Sequence, residues 1–232
     1  MLKHKTYCNW SSGKDAALAL YYTLKDDNYE VTELVTSVNA NYQRVTMHGL
    51  SVDLLKAQTE AIGIKSTVIE LPENPSMEEY NQIMELTTTR LKNEEYTHSL
   101  FGDIFLEDLK LYRETELEKV GLTGVFPLWK KNTKTLINTF LDLGFKAVII
   151  CASAKYFDED FVGKTLTKEL IEKLPEGVDP CGENGEFHTF CYDGPIFKTA
   201  VAFTFGEKTY REYDAPNAKG EKIGFWFCDL IS

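Results

Sequence analysis

Apolar and polar positions recur along this chain with two periods, and the switches between them mark its elements. Thr6-Tyr7-Cys8 favours extended backbone, while Ala16-Ala17-Leu18-Ala19-Leu20-Tyr21-Tyr22 combines strong helix formers with an apolar stripe. A strand, a tight turn and a helix are therefore predicted. Residues 31–38 read as a second strand, 39–48 as a loop, 49–63 as a helix stopped by Gly63, and 66–71 as a third strand closed by Pro72. Ser76, with Glu79 three residues on, forms a capping-box pattern opening a helix that runs to about residue 94. A fourth strand over 98–102, a helix over 106–120 carrying Arg113, and a short fifth strand over 123–126 follow. Strands alternating with helices predict a five-stranded parallel sheet that collects ligands at the carboxyl ends of its strands.

From Asn132 the pattern changes. A helix over 135–143 is stopped by Gly144, an apolar strand covers 146–151, and a helix over 166–174 ends at Pro175. Residues 178–190 are polar and broken by glycine, and read as a loop. The aromatic and β-branched runs 197–205, 209–213 and 223–228 read as strands. The expected architecture is α/β, with a parallel-sheet domain over 1–131 and a smaller α+β domain over 132–232.

Composition narrows the function. Lys and Arg total 25 against 36 for Asp and Glu, and the net charge of −11 repels nucleic-acid phosphates. Lys130-Lys131-Asn132-Thr133-Lys134 is the densest cationic stretch and reads as a solvated helix start. The five cysteines are widely spaced, with no C-x-x-C, and fit free thiols in a reducing compartment. No apolar signal core precedes the first strand and no run is long enough to cross a bilayer, so a cytoplasmic location without membrane contact is expected.

The turn Asn9-Trp10-Ser11-Ser12-Gly13-Lys14-Asp15-Ala16 carries the first chemistry. Small residues let the backbone approach a ligand, the free N–H groups of the helix start point at it, and an anion is the expected occupant. Lys14 is expected to act as a mobile point charge in that first turn. Ser11-x-Gly13-Lys14-Asp15 resembles the pyrophosphate loop (PP-loop), S-G-G-x-D-S, of the ATP pyrophosphatase superfamily, whose members cleave ATP between its α- and β-phosphates. Ser12 stands in place of the middle glycine, tolerable if its φ stays negative, and Ala16 in place of the closing serine removes a hydroxyl donor. No Walker A loop is present.

A second stretch, Val178-Asp179-Pro180-Cys181-Gly182-Glu183-Asn184-Gly185-Glu186-Phe187-His188-Thr189-Phe190, is similar to the C-terminal signature of the diphthine–ammonia ligase-like branch of that superfamily. Gly102-Asp103, Arg113 and Pro127-Leu128-Trp129 fall where its intermediate motifs lie. The resemblance spans essentially the whole chain and implies a HUP-like PP-loop fold. It also implies a reaction in which ATP activates a carboxylate as an acyl-adenylate, pyrophosphate leaves, and ammonia displaces AMP to give an amide. ATP and Mg²⁺ are the implied cofactors, and a small-molecule or protein-borne carboxylate and ammonia the implied partners. The acceptor is left open between diphthine, a corrinoid precursor and another carboxylate, as is a homodimer.

Site residues carry over by position. Trp10, Ser11, Ser12, Gly13, Lys14, Asp15, Ala16, Gly102 and Asp103 are expected at the nucleotide, with Lys14 neutralising the departing pyrophosphate and Asp15 orienting Mg²⁺ or bracing the loop. Arg113, Trp129, Glu183, Asn184, Glu186, His188 and Thr189 are expected at the substrate. Glu186 and His188 are cast as catalytic, with His188 titrating near neutrality. The bland alternative is that Glu183 and Glu186 bind backbone amides to shape the loop. His48 is placed either to contact nucleotide or in a surface turn. Two other readings stay open: a tRNA-modifying PP-loop enzyme, which would need paired cysteines or a basic surface, and a nucleotide sensor without ligase activity.

Overall fold

The computed structural model describes residues 2–45, 49–73, 75–214 and 221–232, so His48 lies outside it. Its first half alternates β1 (His4–Asn9), α1 (Lys14–Leu24), β2 (Tyr29–Asn39), β3 (Arg44–Val45), α2 (Val52–Ile62), β4 (Lys65–Leu71), α3 (Met77–Asn93), β5 (His98–Leu100), α4 (Glu107–Lys119) and β6 (Thr123–Val125). Five strands pair in parallel in the order β4-β2-β1-β5-β6. The short β3, within the segment 39–48 expected as a loop, pairs antiparallel with Val38 and Asn39 beyond the end of the β1 ladder. Chain order reverses around β1, whose neighbours are β2 and β5, so the carboxyl end of β1 is the switch point where an open α/β sheet leaves a crevice.

Side chains one residue apart serve opposite faces of this sheet. Cys8, Leu34 and Leu100 pack in one core with α1 and α2, while Tyr7, Val35 and Phe101 pack in another with Leu91 of α3 and Leu117 of α4. Gly63 ends α2 in the left-handed conformation, and Ser76 with Glu79 forms the reciprocal capping box at the start of α3.

The second half builds an antiparallel sheet in the order β8-β7-β10-β9, from β7 (Lys146–Ser153), β8 (Phe187–Asp193), β9 (Thr204–Asp214) and β10 (Lys222–Ile231), with helices α5 (Thr133–Asp142) and α6 (Lys168–Glu172). Two expectations change here. Residues 187–190, read as loop, open β8, because Phe187, Thr189 and Phe190 are buried and pair with β7. Residues 197–203 form no strand; the aromatic run becomes extended only from Thr204. Helix α1 packs against both β2 and β8, and seven of its 11 residues are buried, which is why it is apolar nearly all round. Among the described residues no helix is long and apolar enough to cross a membrane.

In the middle of β2, beside Tyr7 of β1, Glu33 is fully buried and accepts from Lys65 (2.7 Å), Arg90 (2.8 Å) and the Tyr96 hydroxyl (3.1 Å). Burial alone would raise its carboxyl, but the hydrogen bonds from Lys65 and Arg90 outweigh it and pull it down to about 2. A carboxylate held below its ordinary 4.5 contributes stability that is present above that value and lost as pH falls toward 2. Glu33→Gln should therefore lower stability on the order of 2 kcal/mol at pH 7, with Lys65 still in contact with water, and by progressively less toward pH 2. Thermal melts of both proteins across that range check this, and an equal loss at every pH would assign the effect to packing.

Candidate active site

Three segments converge at the carboxyl end of β1: the turn 10–13 with the start of α1, residues 101–104 after β5, and residues 181–189 leading into β8. Together they wall a cavity of about 830 Å³, within the size range of small-molecule sites. Trp10, Ser11, Gly13, Lys14, Asp15, Ala16, Gly102, Asp103, Arg113, Glu183, Asn184, His188 and Thr189 line it; Ser12, Glu186 and Trp129 do not.

The turn is held from below by one side chain. Trp10 is buried, and its indole N–H donates to Gln58 Oε1 at 2.8 Å. Gln58 Nε2 in turn donates to the carbonyls of Ser12 (2.9 Å) and Cys191 (2.6 Å), while the Cys191 N–H donates to the Ser12 carbonyl at 2.9 Å. The Thr36 hydroxyl fixes the Trp10 carbonyl at 2.7 Å. Gln58 was not singled out from sequence, although a signal exists: it is the one amide on the face of α2 that also carries Leu54, Leu55 and Ile62.

Ser12 differs from expectation. Its φ is +70°, the left-handed region, so the position demands what a glycine gives freely and Ser12 is strained there. Its hydroxyl is buried and finds no hydrogen-bond partner among the described residues, so Ser12 supplies backbone to the turn and no contact to the cavity. Gly102 acts by being small. A Cβ there would come within 2.9 Å of the Ala16 nitrogen and the Asp15 carbonyl carbon, so only glycine lets the end of β5 lie against the first turn of α1.

Lys14 is not a mobile charge. It is 4 % exposed, with Nζ donating to Asp15 Oδ2 at 2.7 Å and to the Cys181 carbonyl, and lies 5.5 Å from the Phe187 ring centre. Burial works against the ammonium, but the charge and hydrogen bond of Asp15, helped by Glu183, outweigh it and hold its pKa above the ordinary value. The Lys14 N–H donates to the Thr189 hydroxyl at 3.1 Å, tying the start of α1 to β8.

The acidic loop divides its labour. Glu186 is 2 % exposed; Oε1 accepts from the Asp179 N–H (3.0 Å) and the Asn184 side chain (3.1 Å), and Oε2 from the Asn184 N–H (2.9 Å). Both oxygens are engaged by the loop, and Glu186 does not line the cavity as its expected catalytic role would require. Glu183 gives one oxygen to the Ile104 N–H at 2.9 Å and faces the cavity. Burial, opposed by that hydrogen bond and aided by the negative charges of Asp15 and Asp103, raises Glu183 to about 7. His188 moves the other way, to about 4, through burial and then the nearby charge of Lys14. His188 is therefore a neutral imidazole at pH 7, and Glu183 is the group that titrates near neutrality.

Arg113 Nη2 lies 3.4 Å from Asp103 Oδ1, and its guanidinium sits 4.5 Å from the centre of the Phe101 ring. Burial raises the Asp103 carboxyl, with Arg113 opposing and Asp15 reinforcing. Trp129 lies outside: Leu128 takes the fully buried position, and the half-buried indole packs on Phe126 and beneath Lys110. All five cysteines are free and buried. Among the described residues no group of three or more His, Cys, Asp or Glu is placed to hold a metal ion. The hard oxygen donors Asp15 and Asp103 beside the turn still suit Mg²⁺, which keeps its waters and is normally held by one or two carboxylates together with substrate phosphates.

Residues 4–124, more than half of the chain, match the family model of the diphthamide synthase N-terminal domain, and residues 132–217 that of the C-terminal domain. The chain belongs to the diphthamide synthase family. Within that family it is 27 % identical over 179 residues to the diphthine–ammonia ligase of Homo sapiens, covering 74 % of this chain and 61 % of that one. It is 30 % identical over 145 residues to the Mus musculus protein of the same name, covering 60 % and 54 %. The chain thus spans under two thirds of the length of these relatives. Among solved structures, the predicted subunit of tRNA methyltransferase from Methanocaldococcus jannaschii overlays with a TM-score of 0.39 at 17 % identity, covering 67 % of this chain and 80 % of that one.

The strain at Ser12 makes a prediction. Ser12→Gly removes both the left-handed serine and its unpaired buried hydroxyl, and should stabilise the protein by about 1 kcal/mol, raising the melting temperature by roughly 2–4 °C. A calorimetric melt checks it. A lower melting temperature would mean that the turn relies on the hydroxyl.

Proposed function

We propose that this protein is an ATP-dependent ligase that converts a carboxylate into an amide through an acyl-adenylate, releasing pyrophosphate and then AMP. The observation that carries the reading is that the turn 10–13 and the loop 181–189 wall one cavity and are joined directly by the Lys14–Thr189 hydrogen bond. The diphthine–ammonia ligase relatives support it, and diphthine is the acceptor that their name carries.

On this reading the phosphates of ATP lie at the start of α1, at the positive end of its dipole, where backbone can approach closely. Mg²⁺ arriving with them would be met by Asp15 and Asp103, and would neutralise charge on the departing pyrophosphate. Lys14 gives that region a fixed positive charge in a water-poor setting, where electrostatic stabilisation is strongest. Glu183, half protonated near neutrality, takes a proton from ammonium so that free ammonia attacks the activated carbonyl. The neutral His188 is suited to hydrogen bonding with substrate and spares the site a second positive charge beside Lys14.

Turnover should release AMP and pyrophosphate in equal amounts, read by coupled assay or phosphorus NMR; ADP with phosphate would remove this mechanism. The proton role of Glu183 gives a second expectation. Amide formation should rise with pH through about 7 as the carboxylate ionises, and Glu183→Gln should lower it about a hundredfold or more and remove that rise. A pH–rate profile of the variant that keeps the inflection would assign it to another group.

A further inference from the structure

The second sheet has two edges, and one of them is covered. The PP-loop turn lies against β8, where the Cys191 N–H donates to the Ser12 carbonyl. At the other side of the sheet stands β9, and among the described residues no strand pairs with its far edge. With 11 residues it is long for an edge strand, it contains no proline, and none of its residues is buried. Proteins ordinarily keep such an edge short, interrupted or covered, because its row of N–H and carbonyl groups is a template for another strand. One interruption exists: between Cys228 and Leu230 the register with β10 shifts, which puts a bulge at Gly206 and Glu207. From Lys208 to Asp214 the ladder is regular.

The charges on that regular stretch decide what fits it. Lys208, Arg211, Glu212 and Asp214 cancel, in a chain whose net charge of −11 otherwise makes its copies repel one another. Lys208, Tyr210 and Glu212 share one face of the strand. Tyr210 is held there: its ring centre lies 5.2 Å from that of Trp226, its hydroxyl donates to Glu212 Oε1 at 3.2 Å, and only the absence of a Cβ at Gly224 leaves room for that hydroxyl. Glu212 is exposed, and a carboxylate accepts more than one such bond. Lys208 is steadied as well, with Nζ donating to the Glu159 carbonyl at 2.8 Å. Side chains ordered before contact lose less freedom on contact.

We infer that β9 pairs antiparallel with β9 of a second copy of this chain, about a two-fold axis at Tyr210, joining two four-stranded sheets into one of eight strands. In an antiparallel ladder a residue that turns its N–H and carbonyl outward faces another that does the same, so the axis falls on a residue and not between two. Placed on Thr209, it sets Glu212 against Gly206 of the bulge and leaves Lys208 facing Tyr210. Placed on Arg211 it sets two guanidinium groups opposite each other, and on Glu212 two carboxylates, both destabilising. Placed on Tyr210, it sets Lys208 of each copy opposite Glu212 of the other, with the tyrosines at the centre and no like charges facing on the regular ladder. Pairing at this edge leaves the cavity, on the far side of β8, open in both copies and is independent of the reaction performed there.

Sedimentation equilibrium tests it. The wild-type protein should dimerise with a Kd below about 100 μM. Lys208→Glu and Glu212→Lys each place two like-charge pairs across the axis and should weaken the dimer about tenfold or more. Lys208→Glu combined with Glu212→Lys in one chain should restore it. So should an equimolar mixture of the two single variants, because one then carries carboxylates at both positions and the other ammonium groups. Circular dichroism shows which variants are folded. Hydrogen exchange needs no variant: amides of residues 208–214 should exchange more slowly as the wild-type concentration rises through the Kd, while those of β7 stay unchanged. A wild-type protein that is monomeric at about 100 μM overturns the proposal. So does a dimer that both folded single variants keep at full strength, a folded mixture that stays monomeric, or exchange in 208–214 that ignores concentration.

Discussion

The geometry of the site depends on the docking of an edge strand onto a turn. The outer edge of β8 offers the N–H and carbonyl of Cys191, and the first meets the Ser12 carbonyl directly while the second meets it through the Gln58 amide. An uncovered strand edge is an exposed row of donors and acceptors, and here the PP-loop turn covers it. One contact therefore sets the relation between the two sheets and fixes the backbone of the turn. Because Gln58 is fully buried and its amide serves three partners, deleting it would strand the Trp10 indole N–H and the Cys191 carbonyl in a dry interior, where each unmade bond costs about 1–3 kcal/mol.

The same docking determines the charges. Bringing β8 and the 181–187 loop over the start of α1 buries Lys14, and a buried ammonium survives only with partners. Asp15, the Cys181 carbonyl and the Phe187 ring supply them. Burial, and then that cation, keeps His188 neutral, while burial, aided by Asp15 and Asp103, raises Glu183 on the preceding loop to about 7. Environment thus reverses the order that intrinsic pKa values suggest, leaving a carboxyl group that titrates near neutrality and an imidazole that is neutral.

Much of this was legible in the sequence. The alternation of strands and helices and the phosphate turn followed from periodicity and from small residues at a strand-to-helix junction, and the capping box of α3 was read residue for residue. What escaped was set by tertiary contacts. Gln58 looks like one polar residue in an amphipathic helix, because its three partners lie 46 and more positions away in two different elements. Residues 187–190 looked like loop because their alternation only has meaning once β7 lies beside them. Glu186 and Glu183 are three residues apart and chemically alike, yet one folds inward onto its own loop and the other reaches Ile104; composition cannot distinguish them. Trp129, expected at the substrate, lies outside the cavity because the turn after β6 points Leu128 inward instead.

The departures from local rules fall at the site. A serine sits where φ is positive, a lysine occupies the N-terminal turn of a helix whose dipole disfavours it, and three acidic groups, Asp15, Asp103 and Glu183, influence one another across one cavity. Each arrangement costs stability and none is needed to form either sheet. The compensation lies elsewhere, in the apolar core shared by α1, α2 and β8 and in the Glu33 network of β2. A fold stabilised in its core and strained at its site keeps its strain only if the strained groups have something to do. A bound polyphosphate would relieve these costs together, since its negative charge complements both the helix start and Lys14, and a divalent cation arriving with it would answer the clustered carboxylates. The site is thus built as the complement of a charged ligand.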